Sequence, residues 1–104
     1  MEIKQTRDYA RWFRRLKDTQ GKARINIALR RCLLAGKVVG DVKPVGDKIM
    51  EMRIHTGPGY RIYFTSRANT LILLLIGGDK STQPSDIAKA KAIAAKLTRE
   101  EKCN

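Results

Sequence analysis

Between Met50 and Arg61 the sequence runs Met-Glu-Met-Arg-Ile-His-Thr-Gly-Pro-Gly-Tyr-Arg, and these side chains are suited to phosphate chemistry. Alternation places Met50, Met52 and Ile54 on one face of a strand and Glu51, Arg53 and His55 on the other. Thr56-Gly57-Pro58-Gly59 is a turn, because glycine admits positive φ and proline fixes its own. Alternation resumes beyond it, with Tyr60, Ile62 and Phe64 set against Arg61, Tyr63 and Thr65. Pairing across the turn would gather Arg53, His55, Arg61 and Tyr63 on one sheet face. Two guanidiniums, an imidazole and a phenol suit a phosphodiester better than a metal or an acyl group.

RNA is cleaved without a metal when its 2′-hydroxyl attacks the neighbouring phosphate. The protein must help remove one proton, supply another to the leaving 5′-oxygen and stabilise a dianionic transition state. Arginine and lysine serve the last task through fixed donors in a water-poor site. His55 can move a proton at neutral pH, and Tyr63 or Tyr60 can donate one or stack on a base. Glu51 has a plainer role, pairing with Arg53 or Arg61 across the ladder.

Other chemistries lack their residues. His55 is the only histidine and the carboxylates are scattered, so no metal site or cofactor is expected. Gly77-Gly78-Asp79-Lys80 lacks the spacing of a nucleotide-binding P-loop, and no serine sits in a hydrolase elbow. Charge is the unusual bulk property: 22 Lys and Arg against 10 Asp and Glu give +12 over 104 residues. The excess is +8 up to Lys37 and +4 beyond it. Such a field attracts nucleic acid, an anionic membrane or an acidic protein. Membrane is the weakest of these, because no apolar run approaches the roughly 18 residues of a spanning helix and the N-terminus lacks a signal-peptide core. Cys32 and Cys103 are too few for a disulfide framework, with Cys32 packed in a helix and Cys103 exposed. A cytoplasmic protein is expected.

The elements that must position the cluster follow from periodicity. Glu2 to Gln5 reads as a short edge strand. Thr6 caps a helix whose Tyr9, Trp12, Phe13 and Leu16 form one face. The pattern breaks around Asp18 to Gly21, and a second helix runs from about Lys22 to Ala35, stopped by Gly36. Arg24, Arg30 and Arg31 project from it as a binding face for phosphate. Pro44 confines the segment before the hairpin to an edge strand. Leu71 to Ile76, six consecutive aliphatics, reads as a strand buried on both faces, after a turn at Asn69. A last helix runs from roughly Gln83 to Arg99. The whole chain, 1–104, reads as a single α+β domain. Its two basic helices make an N-terminal hairpin, and three or four strands and a C-terminal helix follow.

The segments Gly40-Asp41-Val42-Lys43-Pro44-Val45-Gly46, Met50-Glu51-Met52-Arg53-Ile54, Gly57-Pro58-Gly59-Tyr60-Arg61-Ile62-Tyr63-Phe64 and Leu73 to Gln83 occur in that order. In this the chain resembles the RelE/ParE superfamily of bacterial toxins, more narrowly its HigB-like addiction module killer branch, over nearly its whole length. The resemblance implies that the helical hairpin and the C-terminal helix pack on a small, twisted, mainly antiparallel sheet of about four strands, and that the protein is an endoribonuclease that cuts mRNA in the ribosomal decoding site. It matches Arg53, Arg61 and Lys80 to the family's basic site residues, adds Lys43 as a further phosphate contact, and leaves His55 or Tyr63 for proton transfer. The tyrosine that some members carry near the start of the last helix has no counterpart here, where Asp86 and Ile87 stand. The resemblance also implies a cognate antitoxin, a small helix-turn-helix protein, with a heterotetramer as one arrangement. Its ParE-like members offer the alternative of gyrase inhibition without nuclease activity.

Overall fold

Alternating apolar residues and glycine- or proline-bearing turns build a five-stranded sheet in the computed structural model, which describes residues 1–103 and the side chains of residues 1–99. The elements are β1 (Glu2–Gln5), α1 (Arg7–Arg15), α2 (Thr19–Ala35), β2 (Val42–Gly46), β3 (Ile49–Ile54), β4 (Tyr60–Arg67), β5 (Leu71–Asp79), a single 3-10 turn (Lys80–Thr82) and α3 (Gln83–Cys103). Strand order is β1-β5-β4-β3-β2. Pairing is antiparallel throughout except that β1 runs parallel to β5. Pro44 lies in β2 at one edge, where its missing N–H costs the ladder least. The expected exposure of Cys103 falls outside the described side chains.

The α+β class stands, but two architectural expectations are corrected. The sheet has five strands and is mixed, because Glu2–Gln5 joins it as a full partner of β5. Thr6 makes that junction: its N–H donates to Leu74 O at 3.0 Å and its hydroxyl to Leu75 O at 2.7 Å. The same Oγ1 accepts from Tyr9 N–H, so one residue ends β1 and caps α1. The N-terminal helical hairpin is not present. Each of α1 and α2 has one apolar stripe, and the sheet takes both; α1 lies against β5 and α2 against β3. The buried stripe of each helix is taken up by the sheet, so neither is left to pack against the other helix.

The sheet therefore has a core on each face. On one, Tyr9 of α1 and Ile25, Leu29 and Cys32 of α2 join Met52, Ile54, Tyr60, Ile62, Phe64, Ile72 and Leu74. On the other, α3 brings Ala90, with Ile87, Ile93 and Leu97, onto Ile49, Tyr63 and Leu75. Two glycine features that read as breaks prove to be packing devices. Gly21 lies inside α2, whose N-cap is Asp18, because a Cβ there would overlap the Tyr60 ring. Gly77 and Gly78 lie inside β5, which runs on to Asp79. A Cβ on Gly77 would enter the Trp12 ring, and one on Gly78 would enter the Asp86 carboxylate. Gly77→Ala is accordingly expected to cost about 1–3 kcal/mol of stability by overpacking. Urea unfolding measures it, and near-ultraviolet circular dichroism of Trp12, the single tryptophan, should report the displaced ring.

Candidate functional site

The β3–β4 ladder sets Arg53 directly opposite Arg61 and Glu51 opposite Tyr63. Lys43 of β2 stands opposite Glu51, and Gly78 of β5 opposite Arg61. Two cross-strand rows result on the α3 side of the sheet: Lys43, Glu51 and Tyr63, and beside it Arg53, Arg61 and Gly78. Facing arginines repel across a ladder. Glu51 lies between them and is fully buried. Its Oε1 accepts from Arg53 Nε at 3.1 Å and is 3.6 Å from Arg61 Nε, while Oε2 accepts from Gln83 Nε2 at 2.7 Å.

Burial opposes ionisation of Glu51, but the hydrogen bonds from Gln83 and Arg53 and the charge of Arg61 outweigh it, so the carboxyl is held below its usual range. Glu51 thus hydrogen-bonds Arg53 and holds Arg61 by charge alone, Arg61 Nε being buried without a hydrogen bond among the described residues. Arg53 remains 32% exposed and Arg61 12%, and the terminal nitrogens of Arg53 have no partner among the described residues. Arg61 Nη1 donates to Gly59 O at 3.0 Å. Gly59 adopts φ +79°, and a Cβ there would sit 3.5 Å from Arg61 Nη1 and 3.6 Å from Lys80 Cβ. The turn thus brings the exposed Lys80 to the flank of Arg61.

Tyr63 is on the same face but fully buried. Burial first, then the charge of Glu51, pushes its hydroxyl far above the usual phenol range, and that hydroxyl meets no acceptor at hydrogen-bonding geometry. It backs Glu51 and does not reach the surface. His55, just past β3, is exposed, and its Nε2 lies 2.5 Å from Asp41 Oδ2. It faces a separate open groove of about 270 Å³, lined among others by Arg24, Arg31, Asp41 and Arg53. Arg53 therefore borders both the sheet cluster and the His55 groove. Arg30 is exposed and lines neither. Among the described residues no group of three or more His, Cys, Asp or Glu side chains is placed to hold a metal ion.

A protein of Haemophilus influenzae (strain ATCC 51907 / DSM 11121 / KW20 / Rd), described as an uncharacterized protein, is 42% identical to this chain over 97 residues, covering 93% of this chain and 96% of its own length. The chain belongs to that protein's family. No family model and no solved structure matches it. In this family member, three site residues escaped the sequence reading. Gln83 is the first residue of α3 and holds Glu51, which only the return of α3 across the sheet could reveal. Asp41 orients His55 from 14 residues away. Asp86 is buried and accepts from Thr82 Oγ1 at 2.5 Å. Its one sequence signal is the glycine at position 78 that makes room for it.

No described helix is long and apolar enough to cross a membrane.

Proposed function

We propose that the chain is the toxin of a type II toxin–antitoxin pair, a RelE/ParE-type endoribonuclease that works in the cytoplasm on mRNA held by the ribosome and inhibits translation. One observation carries this reading. Two arginines are held face to face on a rigid ladder by a buried glutamate, with a lysine beside them. Such a like-charge pair weakens the sheet, and conflict between local stability and function is expected at a working site. A phosphodiester laid across Arg53 and Arg61 would satisfy both guanidiniums and bring Lys80 and Lys43 to its flanks.

In the proposed reaction the ribose 2′-oxygen bonds to phosphorus and the phosphorus–O5′ bond breaks, leaving a 2′,3′-cyclic phosphate and a 5′-hydroxyl. His55, oriented by Asp41, takes the 2′-hydroxyl proton, and the Lys80 ammonium gives a proton to the departing O5′. Arg53 and Arg61 bear the charge that develops on the equatorial oxygens. Glu51 and Tyr63 act behind them as positioning residues. The reaction calls for no cofactor, and the ribosome supplies substrate placement. The cognate antitoxin is a small helix-turn-helix protein.

Pulse labelling after induction in a bacterial host tests the reading. Methionine incorporation should stop while thymidine incorporation continues. Arrest of DNA synthesis with a DNA-damage response would mark the chain as a gyrase inhibitor, and unaffected growth would mark it as inactive.

A further inference from the structure

The large hydrophobic side chains exposed among the described residues are Ile27, Leu33 and Leu34, at 44%, 45% and 78%. All three lie on α2. The buried stripe of that helix is Ile25, Leu29 and Cys32, and Ile27 and Leu34 stand on the opposite face, a heptad apart. With Ala23 and Arg30 they occupy positions 23, 27, 30 and 34, the 4-3-4 spacing of a coiled-coil seam. Arg24 and Arg31 flank the seam on one side, Asn26 and Leu33 on the other. The helix contains no acidic residue, and Arg24, Arg30 and Arg31 are all exposed.

We propose that this outward face of α2 docks an acidic amphipathic helix of a partner protein. The aliphatic seam of that helix covers Ala23, Ile27 and Leu34, and its flanking carboxylates meet Arg24, Arg30 and Arg31. Charge selects the occupant. An RNA backbone would use the arginines but gains nothing from a ridge of aliphatic side chains. A second copy of this chain would oppose a like set of cations. An acidic helix satisfies both features, and arginine beside exposed aliphatics is the composition of protein interfaces. The inference rests on α2, which lies on the other face of the sheet from the Arg53–Arg61 pair, while Arg24, Ile27 and Arg31 also border the groove that His55 faces.

Fluorescence anisotropy of the full chain with a labelled, lactam-bridged peptide of about three heptads, Leu at a and d and Glu at e and g, tests it. Saturable binding is expected, weakened at least about tenfold both by Ile27→Asp/Leu34→Asp and by replacing the peptide's Glu with Gln. Both substituted residues are solvent-exposed, and circular dichroism checks that the double variant stays folded. Absence of saturable binding, or equal binding by the double variant, overturns the proposal. So does a double variant that loses affinity for a single-stranded oligoribonucleotide, which would assign the face to RNA, or one that dissociates a wild-type dimer in sedimentation.

Discussion

Replacing Arg61 with alanine is expected to lower the rate of mRNA cleavage by about 10²–10³-fold, the loss typical of removing one preorganised charge-stabilising donor. Growth arrest on induction should disappear with it. The fold should survive, because Glu51 keeps its hydrogen bonds to Arg53 and Gln83 when Arg61 is gone. Arg61→Lys should restore little. The guanidinium spans from the Glu51 carboxylate to Gly59 O through a planar fork, and an ammonium on a flexible stem cannot hold both ends. Arg53→Ala should be similarly damaging to cleavage, since Arg53 borders both the phosphate position and the His55 groove. Pairing each variant's melting curve with its cleavage rate separates lost chemistry from lost structure.

Glu51→Ala is expected to be the most destabilising single substitution on this face, at about 3 kcal/mol. That is the low end for breaking a buried ion pair, because Arg53 is partly open to water. The substitution leaves Arg53 and Arg61 opposed across the ladder with no counter-charge and strips Gln83 of its acceptor. Urea denaturation measures the loss. A companion variant, Glu51→Leu with Arg61→Leu, should recover much of the stability while remaining inactive, because removing opposite charges together avoids an orphaned buried cation. The effect carries a pH signature. The native carboxyl sits below its ordinary value of 4.5, so its stabilisation is complete above that value. It is lost as pH falls through the lower native value. Wild type should lose stability in that acid window more steeply than Glu51→Gln, whose side chain does not titrate there.

The site's ladder was legible in the sequence because its determinants are local. Alternation through Met50–Ile54 and Tyr60–Phe64, with the Thr56–Gly59 turn between, brings Arg53 and Arg61 onto one face without reference to the rest of the chain. Pro44 likewise marked β2 as an edge. What was missed depends on contacts distant in sequence. The parallel union of Glu2–Gln5 with Leu71–Leu74 has no local code. Gly21, Gly77 and Gly78 imitate punctuation, yet each is small because a ring or a carboxylate from elsewhere occupies its Cβ space. Two adjacent amphipathic helices suggest a hairpin, but amphipathicity says that a helix has a buried face and not what covers it. Tyr63 looked available beside Arg61, and it is buried because α3 returns over that half of the sheet. Asn69 lies in the turn before β5, as its residue type suggests, with the positive φ on its neighbour Ala68.

The central claim is that the Arg53–Arg61 face cuts mRNA, and mapping the 5′ ends of cellular mRNA by primer extension after induction tests it most directly. Wild type should produce new 5′-hydroxyl ends in register with codons, and the folded Arg53→Ala/Arg61→Ala variant should produce none. Equal codon-registered cleavage by that folded double variant, or no new ends from a wild type that still arrests growth, would contradict it.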